Sequence, residues 1–341
     1  MTMLLSPQTL VVVAALSARG ARGASPLPFD GVPRWALGAW NRTTSVVGPR
    51  SDSTSTHVHW VQASALFSDC RVPVDRPDAA WFAARIAHRD PAALRALARQ
   101  SGFAGATAFA ATSEQSPQKE GAWPGELTWH HAIADFQDVC LEPAAAWPAV
   151  VNGTHASGDR SAAELLAKTP RTFREHGLPV DDPVVQYEEW RDVATAVRLA
   201  GARDDVEDSA LGYVRDVVSA VWPPGGTSLS AALFAAFPES GEFAFARNRP
   251  TTVSPAHYNV SCSLGALADA VEAGALSFDT ALPYFRTELS YGETGLVVTR
   301  STVPEHEGRR LPTDAMCAAL QDALVLDGTP AALATLLGCS S

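Results

Sequence analysis

The sequence predicts a mainly β protein: an antiparallel barrel, or two linked half-barrels, with short helices at its periphery. Three observations predict it. Residues 35–77 (WALGAWNRTTSVVGPRSDSTSTHVHWVQASALFSDCRVPVDRP) set Trp35, Trp40, Trp60 and Phe67 among short runs of alternating apolar and polar side chains. Alternation of period two marks a strand with two unlike faces, and polar groups among the aromatics mark an interior that is partly polar. Short strand-like runs recur along the chain, while helices are few and short. A lined interior of this kind suits a small-molecule pocket.

Strands are expected at 56–62, 68–72, 106–111 and 127–136. A helical insert separates the second from the third. Asp78 and Asp90 fit its N-caps, Pro91 its first helical position, and Leu94, Leu97 and Ala98 an apolar stripe that Gly102 terminates. Residues 112–125 form a polar connection bearing Gly and Pro. Beyond it, Ser161 and Glu164 match a capping box that would open a short helix ending at Pro170. Further strands are expected at 186–193, 242–247, 286–291 and 296–302, with a helix over 264–273 closed by Gly274. Thr329-Pro330 opens the last of two C-terminal helices and Gly338 stops it. Residues 194–230 fit a strand pair or a helix equally. The chain thus divides into a leader (1–30), a first β region (31–150), a second β region of the same or a linked barrel (151–312) and C-terminal helices (313–341).

The 341 residues are enough for one large domain or two modest ones, and 46% hydrophobic against 18% charged residues is globular composition. A net charge of -11 without any basic run argues against nucleic acid as a partner. The apolar run at residues 10–16 has the length of a signal-peptide core and small-x-small sites follow it, yet no basic residue precedes it. It fits a secretory or organellar signal as well as the leader of a cytoplasmic protein, and it is too short to span a bilayer. N-x-S/T triplets begin at Asn41, Asn152 and Asn259. Cys70, Cys140, Cys262, Cys317 and Cys339 show no CxxC pair and no zinc spacing. Free buried thiols, no metal and no cofactor are expected. The oligomeric state is not legible.

Several segments, in order, resemble a broad family of lipocalin-like (calycin) proteins: WNR, VHWVQ with SDCRVPVDRP, ARQSGFAG, ELTWHHAIADFQ, YEEW, EFAFARNRP, and TELSYGE with TRSTVPEHEGRRL. The resemblance spans about residues 30–312. It implies a calycin-type barrel, built from two related halves, and no particular activity. The chain departs from the family pattern at His131, where an arginine is expected, and in an expanded 112–125 connection.

Alternation assigns the candidate site residues. Trp60 and Gln62 share one face of their strand; Phe67, Asp69 and Arg71 share one face of the next, where a carboxylate and a guanidinium two apart can pair or hold a polar ligand. Trp129, His131 and Ile133 share a face, with Asp135 and Gln137 following. His57 and His59 share the face opposite Trp60, where solvent exposure is expected. Tyr187 and Glu189 alternate with Glu188 and Trp190; Glu288 lies on one face of its strand and Tyr291 on the other. Glu189 and Glu288 form a candidate carboxylate pair. The expected ligand-binding set is therefore Trp60, Gln62, Asp69, Arg71, Trp129, His131, Gln137, Tyr187, Glu288 and Tyr291.

No GxSxG elbow, GxGxxG turn, Walker loop or HExxH occurs. Binding of a small, partly apolar molecule is the leading expectation. The alternative is a cofactor-independent isomerase, lyase or hydrolase using His131 with Asp135 or Glu189 for proton transfer. A filled barrel serving as an interaction platform is the third.

Overall fold

The computed structural model describes residues 32, 37–47, 50–52, 55–111, 125–136, 159–167, 172–177, 186–192, 217–222, 232–238, 240–249 and 263–339. They form two antiparallel sheets and a few short helices. The first sheet contains β1 (Gly38–Val47), β2 (Arg50–Asp52), β3 (Thr56–Gln62), β4 (Leu66–Pro73), β5 (Ser101–Ala111), β6 (Gly125–Asp135), β7 (Asp159–Ala167), β8 (Thr172–Gly177) and β9 (Gln186–Asp192). Its neighbours run β2-β1-β3-β4-β5-β6-β7-β8-β9, and β1 pairs with β9 as well. The second contains β10 (Val218–Trp222), β11 (Ala232–Phe237), β12 (Glu242–Arg247), β13 (Glu288–Glu293), β14 (Val297–Ser301) and β15 (Leu324–Asp327), in the order β14-β13-β12-β11-β10-β15.

Helices α1 (Ala79–Ala87) and α2 (Pro91–Leu97) are the predicted insert, and the Asp78 and Asp90 carboxylates accept from the backbone N–H of Trp81 and Ala92. Helices α3 (Leu264–Glu272) and α4 (Phe278–Ala281) begin at capping Ser263 and Ser277. Helix α5 (Thr313–Ala318) precedes α6 (Pro330–Leu337), which Thr329 caps and left-handed Gly338 ends. Among the described residues, no helix is long and apolar enough to cross a membrane.

The main core lies between the sheets. Val61, Cys70, Val72 and Ala104 of the first pack with Leu233, Ala235, Ala246 and Leu289 of the second, and with α1 to α4. The Cys70 thiol donates to the Leu289 carbonyl across this boundary (3.1 Å). On its far side the second sheet packs Trp222, Phe234, Phe243 and Phe245 against Met316, Leu333 and Leu337 of α5 and α6.

Three expectations are corrected, and two further findings extend the fold. Residues of the supposed capping box at Ser161 and Glu164 lie in β7, where hydrogen bonds to β6 and β8 on both sides override a local helix signal. Gly102 does not end a helix; it lies within β5, φ +143°, where a Cβ would stand 2.3 Å from the Asp69 carbonyl. The change of sheet falls between Asp192 and Val218, because β7 to β9 belong to the first sheet. The C-terminal segment adds a strand, β15, to its helices. Finally, Cys317 and Cys339 form a disulfide between α5 and the end of α6, and Cys70 is a free buried thiol. Spacing alone does not reveal two cysteines that meet only through packing.

Candidate functional site

Register decides which side chains meet. In the first sheet Trp40 lies opposite Trp60, Trp60 opposite Asp69, Gln62 opposite Phe67, Asp69 opposite Phe103 and Thr107 opposite Trp129. Paired residues in an antiparallel ladder project to the same face. All of these therefore project away from the core between the sheets. They form an aromatic cluster of their own, with Val58. The Trp40 and Trp60 rings stack at 6.0 Å, Trp129 meets Trp60 edge-on at 5.7 Å, and Phe103 meets Phe67 edge-on at 5.8 Å.

Polar groups are set into this face. Asp69 and Arg71 are both largely buried, and the guanidinium reaches the carboxylate from Nε (3.0 and 3.1 Å) and from Nη2 (2.7 Å). Arg71 also lies over the Phe103 ring, 5.3 Å from its centre. Gln62 is fully buried, and its amide is spent on the fold. Nε2 donates to the carbonyls of Ala63 (2.9 Å) and Leu66 (3.2 Å), and Oε1 accepts from the Thr107 hydroxyl (2.9 Å). It pins the turn between β3 and β4.

The alternation expected in β6 does not survive. Between Ala104 and Ala106 of β5 the register of β6 jumps from Ala134 to His130, a bulge. Ile133 consequently joins the core between the sheets while Trp129 stays in the aromatic cluster. Trp129 and Ile133 therefore do not share a face, and the His131 side chain lies outside the described residues. Asp135 is buried and opposite Phe103; its backbone carbonyl accepts from Arg249 Nη2. Gln137 also lies outside the described residues. The backbone of β9 places Tyr187 opposite Val46 and His176, and Glu189 opposite Thr44 and Arg174.

Glu288 and Tyr291 belong to the second sheet and do not join the Trp60 cluster, so Glu288 and Glu189 stand on different sheets. Tyr291 stacks on His59 with ring centres 4.0 Å apart. His59 was expected at the surface. Instead it is 3% exposed, and the Asn41 side chain is 2.7 Å from its Nδ1. Burial pushes its pKa down to about 3, so the imidazole is neutral even though a Glu242 carboxylate oxygen is 3.7 Å from Nε2. Burial likewise raises the pKa values of Tyr291 and Cys70.

Glu288 is 1% exposed yet keeps its charge. Burial, the largest single influence, raises its pKa, but the His306 hydrogen bond, the charges of His306 and Arg247 and the Ser290 hydroxyl together outweigh it and leave the pKa lowered. His306 Nδ1 lies at 2.7 Å, Arg247 Nη2 at 2.9 Å and the Ser290 hydroxyl at 3.1 Å. His306 was absent from the predicted site: it stands in a 3₁₀ turn (Pro304–His306), where no periodic pattern links it to Glu288. Among the described residues no group of three or more His, Cys, Asp or Glu side chains is arranged to hold a metal ion.

Comparison with protein-family models, curated proteins and solved structures finds no match to this chain.

Proposed function

We propose that the first sheet is a calycin-like barrel that binds a small, partly apolar molecule, with Trp40, Trp60 and Trp129 as its apolar wall and Asp69–Arg71 as its polar anchor. The observation that carries this reading is the bidentate Asp69–Arg71 pair on the same sheet face as three tryptophans, turned away from the main core. An aromatic surface with a few fixed polar groups is the usual make-up of a small-molecule site. The pairing of β1 with both β3 and β9 supports the barrel part of the reading.

The test is titration of the full chain with 1-anilinonaphthalene-8-sulfonate, an apolar ring system carrying one anionic group, followed by its fluorescence. Saturable one-to-one binding is expected, weakened about tenfold or more in Trp129→Ala, a loss of about 1.4 kcal/mol. Circular dichroism of the variant checks that the fold survives. Equal affinity in a folded Trp129→Ala variant would overturn the assignment.

A further inference from the structure

A cavity of about 210 Å³ opens beside β13 and β14, on the sheet that carries none of the tryptophan cluster, with Glu288 and His306 on its wall. That is several times the roughly 30 Å³ occupied by a water molecule in the liquid. Arg247, Arg309 and Arg310 also line it. Three guanidinium groups face one carboxylate there, which leaves a formal charge of +2 before His306 is counted, within a chain of net charge -11.

The backbone fixes these cations in place. Arg247 is the cross-strand partner of Glu288. The segment carrying Arg309 and Arg310 is laced to β14: Gly308 N–H donates to the Val298 carbonyl (2.8 Å), Val298 N–H to that of Arg309 (2.9 Å), and Leu311 N–H to that of Leu296 (2.9 Å). Arg310 uses only Nε, on the Gly295 carbonyl (3.1 Å), so both of its terminal NH₂ groups remain available among the described residues. Arg309 has no side-chain hydrogen bond or ion pair among the described residues. The nearby carboxylates are committed elsewhere, Glu305 to Arg286 and Glu307 to Arg76 and Arg300. His306 spends Nδ1 on Glu288, which orients the ring and leaves Nε2 for another partner.

We propose that this cavity binds the phosphoryl group of a small molecule, held by Arg309 and Arg310 and contacted by His306 Nε2. A residual charge of at least +2 matches a phosphate dianion, and two forked guanidinium groups supply more donors than the two oxygens of a carboxylate accept. With both ring nitrogens protonated, His306 adds a donor at Nε2 while Nδ1 holds Glu288. Glu288 acts as a positioning residue: it lines the cavity, but its two oxygens are taken up by His306, Ser290 and Arg247. This site is independent of the tryptophan cluster.

Isothermal titration calorimetry of the full chain with inorganic phosphate, and in parallel with acetate, tests the proposal. The expected result is saturable one-to-one phosphate binding at least tenfold tighter than acetate binding. The Arg309→Gln/Arg310→Gln double variant should weaken it at least tenfold, and His306→Asn severalfold. Arg286→Gln, which removes a guanidinium paired with Glu305 outside the cavity, should leave it unchanged. Both arginines are exposed, so the double variant is expected to melt like the parent chain, and a melt reports whether it does. Absence of saturable binding, equal affinity in the folded double variant, or equal loss in Arg286→Gln would overturn the proposal. Acetate bound as tightly as phosphate would overturn its phosphoryl assignment. Unchanged anilinonaphthalene binding in the double variant separates failure here from failure of the barrel reading.

Discussion

The two sheets solve burial in opposite ways. On its aromatic face the first sheet carries Asp69, Arg71 and Gln62 among tryptophans and phenylalanines, and each of these polar groups finds a partner within the sheet. Strands β10 and β11 of the second are buried at every position, with apolar side chains on both faces. Its charged groups gather instead at the β13–β14 end, around Glu288 and His306. Ligand chemistry set into a sheet face needs alternation, because one face must stay apolar for the core while the other holds polar groups. A sheet covered on both faces has room for such chemistry only at its margins.

Breaking the polar face of the first sheet is expected to have the largest effect. Asp69→Asn, or Arg71→Leu, strands an ionised partner away from water and should cost roughly 3–5 kcal/mol by urea unfolding. The double variant should recover part of that loss. Arg89→Ala sharpens the contrast: its pair with Asp279 is about two-thirds exposed, and less than about 1 kcal/mol is expected. Equal, small costs for Asp69→Asn and Arg89→Ala would show that the first sheet does not shield its pair from solvent.

The second sheet relies on its cover. Cys317–Cys339 ties together α5 and α6, which pack on Trp222, Phe234 and Phe243. The bond closes a separation of 22 residues, for which loop entropy gives about 3 kcal/mol. The Cys317→Ser/Cys339→Ser variant should lose about that much, with a weaker near-ultraviolet signal from Trp222. An unchanged melting temperature would mean that apolar packing alone holds the cover.

This contrast also explains what was legible. Strand β3 runs over Thr56–Gln62 as its alternation predicts, and Asp78, Asp90, Thr329 and Gly338 cap helices where local chemistry indicates. The pairing of Asp69 with Arg71 follows from period two in a strand that keeps it. Strands β10 and β11 carry no alternation and much alanine, so nothing local separates them from other apolar runs. The β6 bulge shifts Ile133 to the opposite face, a change set by pairing with β5 and invisible in β6 itself. Glu288 and His306 are 18 residues apart and meet only because a 3₁₀ turn folds back beside β13.

A last prediction probes the junction between the sheets through His59. It lies on β3, stacked on Tyr291 of β13, with Asn41 at Nδ1 and Glu242 of β12 beyond hydrogen-bond reach of Nε2. Its pKa is pushed down to about 3 from 6.5. The unfolded chain therefore takes up a proton below pH 6.5 that the folded chain refuses until much lower pH. The stabilising contribution is complete above about pH 6.5 and is lost as pH falls toward 3, with a slope of up to about 1.4 kcal/mol per pH unit. Urea unfolding of the parent chain and of His59→Gln should thus converge in stability between pH 6.5 and 5, a range above the titration of Glu288, whose pKa lies below the ordinary 4.5. Parallel pH profiles for the two proteins across that range would show that His59 takes up its proton as readily folded as unfolded, and that the two sheets do not exclude water at their junction.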